Sequence, residues 1–440
     1  MDTNEIVSTK MEQIALNAKR LPDVSFTSLS YHIDLRWLYE ASKAIKRDVA
    51  AGVDNVTAEE YEENLKQNLK LLLERFKSGR YKAPPVKRVY IPKDAKGKEL
   101  RPLGIPTYED KVLQKAVAWT LEPIYEQDFY DCSYGFRPNR SCHDALKVIW
   151  NGLMKMGGGW IIDLDIRKFF DTIQWKQLQE VLKLRVRDGV LIRLIGKWMN
   201  AGIMEDGNFS YPEAGTPQGG VISPLLANIF LHEVMDKWLH EIAFPLLKGK
   251  AFEVRYADDV VICFENQEDA QRVLKVLPKR LKKYGLEMHP DKTKIVEFKK
   301  PGNRGKSYKQ EKRPDTFDFL GFTHFWKKSR KGNPVIGKKT ISSRLTRALV
   351  RINKWCKNNM HHKVEQQHQI LCSKLRGHYN YYGVNGNYAM LSKYLLNVVR
   401  IWRKWLARRD RKRKLYWVIM KRKILENFPL PRPYIKHSFV

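Results

Sequence analysis

The spacing of apolar residues changes twice along the chain and divides it into three segments. In residues 1–80, apolar side chains recur at intervals of three and four, as between Leu65 and Phe76, which predicts amphipathic helices. Residues 81–330 mix this helical spacing with short alternating runs, and the helical spacing returns after Gly332. The pattern therefore predicts a helical start, a centre of helices and strands, and a helical end.

The central segment supplies the strands of the predicted fold. Alternation and turn residues predict strands at 86–92 and 100–106 (a basic hairpin), 159–166, 252–264 (a hairpin with two aspartates at its tip), 295–298 and 317–325. Helical spacing predicts helices at 109–125, 175–199 with one break, 225–239 and 270–284. After residue 332 the chain is predicted to be helical, with breaks at Gly377 and at 383–386.

The large excess of positive charge in this chain indicates a polyanionic partner. The chain has 81 Lys+Arg against 48 Asp+Glu, a formal net charge of +33, and residues 338–440 hold 25 Lys+Arg against three acids, interleaved with Trp and Tyr. Cations suit phosphates, and flat rings stack on unpaired bases. The alternative is a solvated helix face, but so many like charges repel one another unless a polyanion is present. The last quarter of the chain is therefore predicted to contact nucleic acid.

Cysteine content and hydropathy narrow the class of protein further. Five cysteines without a C-x-x-C pair fit neither a disulfide framework nor a zinc ribbon. The N-terminal residues lack the apolar core of a signal peptide, and no run of about 18 apolar residues occurs. We therefore expect a cytoplasmic protein that is not secreted and has no membrane partner.

Three carboxylates in this basic chain fall at ends of predicted strands. Asp165 closes one strand, and Asp258 and Asp259 lie at a hairpin tip, so a single sheet can bring them together. Carboxylates this close repel by about 1 to 4 kcal/mol per pair, a cost that divalent cations remove. Oxygen ligands with room for phosphates select Mg²⁺, and two such ions can activate a hydroxyl and stabilise a leaving pyrophosphate. Taken singly, each Asp is more often a turn or cap residue, so the surrounding sequence has to decide.

Seven short sequence blocks surround or accompany these carboxylates. In chain order they are RPLGIP (101–106), YGFRP (134–138), DIRKFFD (165–171), TPQGGVISP (216–224), YADD (256–259), GLEMHPDKTK (285–294) and FLGF (319–322). Block by block, the chain resembles the bacterial group II intron-encoded reverse transcriptase and maturase over about residues 35–385. Many members of that family continue into an endonuclease domain. This chain ends soon after Tyr382, so we expect a member that lacks the endonuclease.

The resemblance implies an α+β fold, a right-hand polymerase. Its fingers and palm consist of an antiparallel sheet with helices, and its thumb is helical and basic. The implied domains are 1–80, a helical N-terminal extension and the start of the fingers; 81–330, the fingers and palm; and 335–440, the thumb or maturase region with a short basic tail.

The resemblance also implies the catalytic centre. Asp165, Asp258 and Asp259 match the catalytic carboxylates that bind metal, and the backbone carbonyl of Ile166 would complete the metal shell. The implied cofactor is a pair of Mg²⁺ ions, for which Mn²⁺ can substitute. Phe170 matches the aromatic gate under the sugar, which leaves no room for a 2′-hydroxyl and so favours dNTPs. Its alternative is an ordinary core aromatic.

Four further residues are implied to bind the dNTP. Lys93 and Arg101, on the basic hairpin, either grip the triphosphate or contact template phosphates. Gln218 matches a residue near the incoming nucleotide. Lys292 either lies near the leaving pyrophosphate or is a plain surface lysine.

The remaining implied contacts are with nucleic acid. Tyr256 and Ala257 would form the floor beneath the primer terminus. The segment LRGHYNYYG (375–383) resembles the maturase signature, whose tyrosines either stack on RNA or fill the thumb core. The residues assigned to nucleic acid there are Arg376, Tyr379, Tyr381 and Tyr382.

The function implied is that of an RNA-directed DNA polymerase of the group II intron type. It would extend a primer 3′-hydroxyl with dNTPs on an RNA template by two-metal catalysis, and bind intron RNA to assist splicing and mobility. One alternative is an RNA-binding maturase that acts mainly as a splicing cofactor. Another is a domesticated relative in DNA repair or defence. Expected partners are RNA template or intron RNA, a DNA primer or target, and dNTPs. The sequence leaves open whether the protein is a monomer or a homodimer.

Overall fold

The computed structural model describes most of the 440 residues, namely 3–92, 99–205, 208–211, 219–301, 315–409 and 415–439. The chain forms two compact units. The first consists of residues 1–91, 100–145 and 162–295, and the second of 92–99, 146–161 and 296–440.

The α+β fold is confirmed, because the described residues contain both helices and sheets with antiparallel strand pairs. The α-helices are α1 (Thr3–Arg20), α2 (Leu35–Lys43), α3 (Ala58–Glu63), α4 (Leu65–Lys77), α5 (Tyr108–Asp128), α6 (Cys142–Met156), α7 (Phe169–Thr172), α8 (Trp175–Lys183), α9 (Gly189–Met199), α10 (Ser223–Leu231), α11 (Gln267–Lys283), α12 (Ser342–Asn358), α13 (Val364–Tyr382), α14 (Tyr388–Arg409) and α15 (Trp417–Ile419). The 3₁₀ helices are Leu29–His32 and Phe244–Leu246, and the π-helical segments are His232–Asp236, Trp238–Ala243 and Met420–Leu425.

The strands form three sheets. They are β1 (Val86–Pro92), β2 (Leu100–Ile105), β3 (Gly158–Leu164), β4 (Ile203–Glu205), β5 (Asn208–Ser210), β6 (Ala251–Tyr256), β7 (Asp259–Phe264), β8 (Lys294–Lys299), β9 (Phe317–Phe319), β10 (Phe322–Lys328) and β11 (Pro334–Thr340). Their orders are β2-β1-β4-β5, β6-β7-β3-β8 and β11-β10-β9. We call the second the central sheet, because it carries the predicted carboxylates.

Helix α5 packs against several other helices of the first unit. It begins where the Thr107 hydroxyl accepts the Asp110 N–H, a regular N-cap. Its apolar side chains are buried against α1, α2 and α10. The Trp37 indole of α2 donates to the Ala116 carbonyl at 2.9 Å. Burial extends to the polar residues Asp110 and Gln114, so α5 is enclosed on more than the one apolar face that the sequence predicts.

Buried polar groups around α5 satisfy one another. The Asp110 carboxyl accepts from Tyr81, Trp198 and Gln114 at 2.6 to 3.0 Å. Burial raises the pKa of this carboxyl and the three hydrogen bonds lower it, and the resulting pKa is about 6. Such a network fixes the helix in one position, because moving it would leave buried donors unpaired.

The second unit has a helical core. Buried residues of α12, α13 and α14 form one apolar cluster that includes Trp402, Leu371 and Leu375. The Trp402 indole donates to Gln367 at 2.9 Å, which satisfies the one polar atom of a fully buried ring. The sheet β11-β10-β9 belongs to the same unit.

Three of the predicted elements are wrong. The run 317–325 is two strands, because Leu320 and Gly321 take φ of +46° and +83° and reverse the chain. Residues 334–340 form β11 and not helix, since they pair along their whole length with β10. Gly377 does not break α13, and a Cβ added at this position would meet no atom within 4 Å outside the helix backbone. Helix α6 and strands β4 and β5 were not predicted.

The predicted domain limits of 1–80, 81–330 and 335–440 stay predictions. In the described part of the chain, no helix has both the length and the hydropathy that a membrane crossing requires.

Candidate active site

The central sheet brings the predicted carboxylates to one edge. Asp165 follows the end of β3, and Asp258 lies in the turn before β7, which is the neighbour of β3. Burial raises the pKa of Asp258, and the negative charge of Asp165 raises it further, whereas Arg101 lowers it. Asp165 and Arg101, which come from two other sequence blocks, therefore both act electrostatically on Asp258.

The carboxylates are not drawn tightly together. The Asp165 side chain is part-exposed and lies 3.6 Å from the Lys292 ammonium, Asp258 is half-buried, and Asp259 is exposed. Among the described residues, the group of three acidic, Cys or His side chains whose ligand atoms all lie within 4.8 Å of one another is a different one. Repulsion between like charges keeps such carboxylates apart until a cation joins them. A partly open set of carboxylate oxygens fits Mg²⁺, which keeps several waters and binds substrate phosphates.

The segment after β3 is fixed by the GLEMHPDKTK block. The His289 N–H donates to the Asp165 carbonyl at 2.8 Å, and the Arg167 N–H donates to the Glu287 carbonyl at 2.8 Å. The Asp165 N–H donates to the Thr293 hydroxyl at 3.3 Å. Two sequence blocks more than 100 residues apart thus hold one carboxylate in place.

The same pairing orients Ile166. Ile166 and Met288 form an antiparallel bridge whose hydrogen bonds belong to the flanking residues. In such a pair the carbonyl points away from its partner strand. The Ile166 carbonyl is therefore directed away from Met288, which leaves it available to a ligand on the other side.

The YADD turn is a tight hairpin between β6 and β7. Tyr256 pairs with Asp259, so Ala257 and Asp258 are its two central residues. Ala257 takes φ of +56° and is buried. The favoured two-residue hairpin turns have positive φ at the first central position, and this conformation costs a non-glycine residue about 1 kcal/mol. The surroundings must hold this conformation.

A fully buried arginine forms hydrogen bonds that stabilise the YADD turn. Arg255 makes two hydrogen bonds with Asp236 at 2.8 and 2.6 Å, and both side chains are inaccessible to solvent. Its guanidinium also donates to Asn228 at 2.8 Å and to the Ala257 carbonyl at 3.2 Å. Asn228 in turn donates to the Gly135 carbonyl at 2.7 Å. Positions of the turn and of the YGFRP block are thereby linked through one network.

The YGFRP block lies directly against the turn. A Cβ on Gly135 would stand 2.4 Å from the Ala257 nitrogen and 2.9 Å from the Tyr256 carbonyl carbon. Only glycine permits so close a backbone approach. The exposed Phe136 ring lies 6.3 Å from the ring of Tyr256, which places aromatic surface beside the predicted primer floor.

The RPLGIP and TPQGGVISP blocks approach each other closely at Gly104 and Gly219. A Cβ on Gly219 would stand 2.5 Å from the Gly104 carbonyl oxygen of β2. The buried Gln114 side chain accepts the Val221 N–H at 2.8 Å. The RPLGIP and TPQGGVISP blocks are therefore packed together and anchored to α5. Gln218 itself, like Lys93 of the basic hairpin, lies outside the described residues.

Phe170 occupies the start of α7. Its ring is half-buried and meets the buried Phe169 ring edge-on, with centroids 5.2 Å apart. Lys168, which precedes the helix, takes φ of +46°, so the chain turns sharply between Asp165 and Phe170. A partly accessible ring is compatible with the predicted gate, and its role stays a prediction.

The predicted thumb residues are not equivalent. Arg376 is exposed, but Tyr379 is fully buried in the helical core, and its hydroxyl donates to the Pro431 carbonyl at 3.2 Å. The prediction of nucleic-acid binding is corrected for Tyr379, since a buried ring cannot stack on a base. Tyr381 and Tyr382 are half-buried. The Tyr381 hydroxyl donates to the Leu320 carbonyl at 2.9 Å, and the Tyr382 ring packs on Phe322.

Sequence reasoning missed the supporting residues Arg255, Asp236, Asn228 and Gln114. The one signal was a charged residue inside an apolar strand, because Arg255 interrupts the β6 run just before YADD. Nothing in the spacing of 19 residues between Asp236 and Arg255 indicates that they pair, since the pairing depends on how the π-helical segment packs on β6.

The chain is similar in sequence to known proteins. The model of the family "Reverse transcriptase (RNA-dependent DNA polymerase)" matches residues 91–324. Protein YkfC of Escherichia coli is 41% identical over 226 residues, which are 50% of this chain and 58% of that protein. Group II intron-encoded protein LtrA of Lactococcus lactis is 39% identical over 237 residues, 53% of this chain and 38% of LtrA. A putative COX1/OXI3 intron 2 protein of Saccharomyces cerevisiae is 34% identical over 227 residues, 51% of this chain and 26% of that protein.

The matched region covers more than half of the chain, so the chain belongs to the reverse transcriptase family. The similarity to LtrA confirms the resemblance to group II intron-encoded proteins that the seven blocks indicate. The matches span between 26% and 58% of the length of these relatives.

Proposed function

We propose that this protein is an RNA-directed DNA polymerase of the group II intron type that also binds intron RNA to assist splicing and mobility. The observation that carries the proposal is that Asp165, at the end of β3, and Asp258, in the turn before the neighbouring strand β7, lie at one edge of the central sheet, with the Lys292 ammonium 3.6 Å from the Asp165 carboxylate. Two carboxylates beside a cation suit a site where a metal-bound triphosphate reacts.

The carboxylates form the reaction centre in this proposal. Asp165, Asp258 and Asp259, with the Ile166 carbonyl, would hold two Mg²⁺ ions, or Mn²⁺ in their place. When bound, such ions acidify a primer 3′-hydroxyl and stabilise a departing pyrophosphate. The half-burial of Asp258 in a turn of fixed geometry positions its oxygens before any ligand arrives, which lowers the cost of organising the site.

The cations around the carboxylates bind the dNTP. The Arg101 charge lowers the pKa of Asp258, and in this proposal its guanidinium binds phosphates held near that carboxylate. Lys292 is exposed and lies 3.6 Å from the Asp165 carboxylate, which suits a lysine that stabilises a leaving pyrophosphate. Lys93 and Gln218 keep their predicted roles in dNTP binding, and Phe170 its role as sugar gate.

Nucleic acid would occupy the surfaces beside this centre. Tyr256, Ala257 and the neighbouring Phe136 ring would support the primer terminus. In the second unit, exposed Arg376 and the half-buried Tyr381 and Tyr382 would contact RNA, together with the basic surplus of residues 338–440. We further propose a cytoplasmic protein associated with its intron RNA.

Primer extension tests the polymerase proposal directly. The wild-type chain should extend oligo(dT) on poly(rA) with dTTP and Mg²⁺, and the double variant Asp258→Ala/Asp259→Ala should lose this activity. Glu180→Ala, which removes an exposed carboxylate of α8, is the matched control and should retain it. If the folded wild type makes no cDNA with Mg²⁺ or Mn²⁺, the polymerase proposal is wrong.

A splicing assay distinguishes the polymerase proposal from the alternative of a maturase that acts mainly as a splicing cofactor. If the metal site serves polymerisation alone, the double variant should still assist splicing of the intron RNA at nearly the wild-type rate. Equal loss of splicing and cDNA synthesis would show that the carboxylates have a structural role. Intron RNA structure encoded around the reading frame would separate the intron type from a domesticated relative.

A further inference from the structure

A second group of potential ligands lies in the first unit, away from the carboxylates. We call Cys132, His240 and Glu253 the Cys–His–Glu cluster. Cys132 precedes the YGFRP block, His240 lies on the second π-helical segment, and Glu253 is on β6. Their ligand atoms all lie within 4.8 Å of one another.

The distances in the cluster are close to those of a metal site. One oxygen of Glu253, Oε1, is 3.1 Å from Cys132 Sγ and 3.1 Å from His240 Nε2. In a tetrahedral zinc site with ordinary bond lengths, neighbouring ligand atoms are about 3.3 to 3.6 Å apart. An ion could therefore enter after the side chains separate by a few tenths of an ångström.

Glu253 supplies an independent observation that points to a ligand. The residue is 3% exposed, and its second oxygen, Oε2, has no hydrogen-bond partner among the described residues. The nearby buried cation, Arg255, is already paired with Asp236. A buried carboxylate oxygen without a partner is costly, and a cation bound by the Glu253 carboxylate would lower that cost.

The donor types select the class of ion. Thiolate, imidazole and carboxylate together suit Zn²⁺ and chemically similar ions, whereas Mg²⁺ prefers oxygen alone. A divalent ion with one thiolate, one carboxylate and a neutral imidazole is an electrically neutral assembly, which suits burial. Burial raises the pKa of the Cys132 thiol, so binding would release that proton.

The cluster has an entrance and a supporting shell. The His240 side chain is 36% exposed, so an ion and a coordinating water can reach the cluster from that side. The rings of Tyr130 and Phe244 lie 5.0 and 5.1 Å from the His240 ring and limit its orientation. Such packing around a ligand favours one geometry at the metal.

We propose that Cys132, His240 and Glu253 bind one Zn²⁺-class ion, with water as the fourth ligand. The ion would join the segment before Gly135 to strand β6, the two parts of the chain that meet at the YADD turn. The site is structural and separate from the carboxylates of the proposed reaction centre. No short sequence motif indicates this site, because Cys132 and His240 are 108 residues apart and His240 and Glu253 are 13 residues apart.

Metal titration of the full chain tests the proposal. The protein is stripped with a chelator, returned to buffer containing excess Mg²⁺, and titrated with Co²⁺ and then Zn²⁺. We expect one Co²⁺ per chain, with a thiolate-to-cobalt charge-transfer band that Zn²⁺ abolishes. X-ray absorption of the zinc form should show one sulfur at about 2.3 Å.

Variants locate the ion. His240→Asn changes a partly exposed residue, so the variant should fold normally. Loss of an outer-shell partner of a metal ligand lowers metal affinity by up to about 100-fold. Because His240 is proposed as a direct ligand, the affinity of this variant for Co²⁺ should fall by more than that. Cys132→Ser should lose the charge-transfer band. Cys263→Ala, at a buried cysteine of β7, is the matched control and should retain both. The proposal is overturned if the folded wild type binds no stoichiometric Co²⁺, or if His240→Asn and Cys132→Ser bind it as the wild type does.

Discussion

Gly135→Ala is the substitution that most directly tests how the YADD turn is held. The added Cβ would stand 2.4 Å from the Ala257 nitrogen, whereas ordinary contact begins at 3.4 Å. Either the turn or the YGFRP segment must therefore move by about 1 Å, which follows from those two distances. Gly135 does not itself take a positive φ, so alanine adds no backbone strain of its own.

The displaced atoms are one residue away from the Asp258 carboxylate. A misplacement of about 1 Å at reacting groups can cost about 100-fold in rate, equivalent to about 2.7 kcal/mol in the barrier. Overpacking should also lower the free energy of unfolding by about 1 to 3 kcal/mol. We expect a folded protein with a large loss in the rate of nucleotide addition.

Single-turnover primer extension with saturating dTTP measures that rate, and urea unfolding measures stability. Gly189→Ala is the matched control, because its Cβ would meet only the flexible end of Arg193, at 3.2 Å. It should retain both rate and stability. If Gly135→Ala is stable and extends primers at the wild-type rate, the YGFRP segment does not position the turn, and the reasoning is refuted.

Four further predictions follow from buried charge, the sugar gate, a buried histidine and the basic surplus. Arg255→Met leaves Asp236 buried without its cation, so urea unfolding should show a loss of about 3 to 5 kcal/mol; a loss below about 1 kcal/mol would contradict the network. Phe170→Val should increase UTP incorporation relative to dTTP in primer extension, and an unchanged ratio would assign the ring to the core. Burial, with the nearby Lys338 charge, lowers the pKa of His324 to about 3. As pH falls from about 6.5 towards 3, the unfolded chain gains a proton that the folded chain does not, so the second unit should lose up to about 1.4 kcal/mol per pH unit. His324→Phe should remove that slope, which pH-dependent unfolding measures, and an equal slope in the variant would contradict the assignment. RNA affinity should fall by about 10³ to 10⁵ between 50 and 200 mM salt if six to ten phosphates are contacted, and a binding constant that is flat over this range would count against the basic surface.

The local sequence was sufficient wherever one element carries its own signal. Alternation predicted the β6-β7 hairpin and its carboxylate tip, and apolar spacing predicted α4, α8, α9 and α11, because side-chain period and turn residues are properties of short segments. It failed at 334–340, where strand formation depends on pairing with β10. It also failed at Tyr379, whose signature could not tell a stacking ring from a core ring.

The sequence by itself determined the class of the protein: seven ordered blocks, three aspartates and a large basic surplus. Only the tertiary structure decided how these parts meet. The close approach of Gly135 to Ala257, the buried pairing of Arg255 with Asp236, and the Cys–His–Glu cluster all join residues distant in the chain. Such contacts arise from packing of whole elements, so they have no period and no fixed spacing that a single sequence could display.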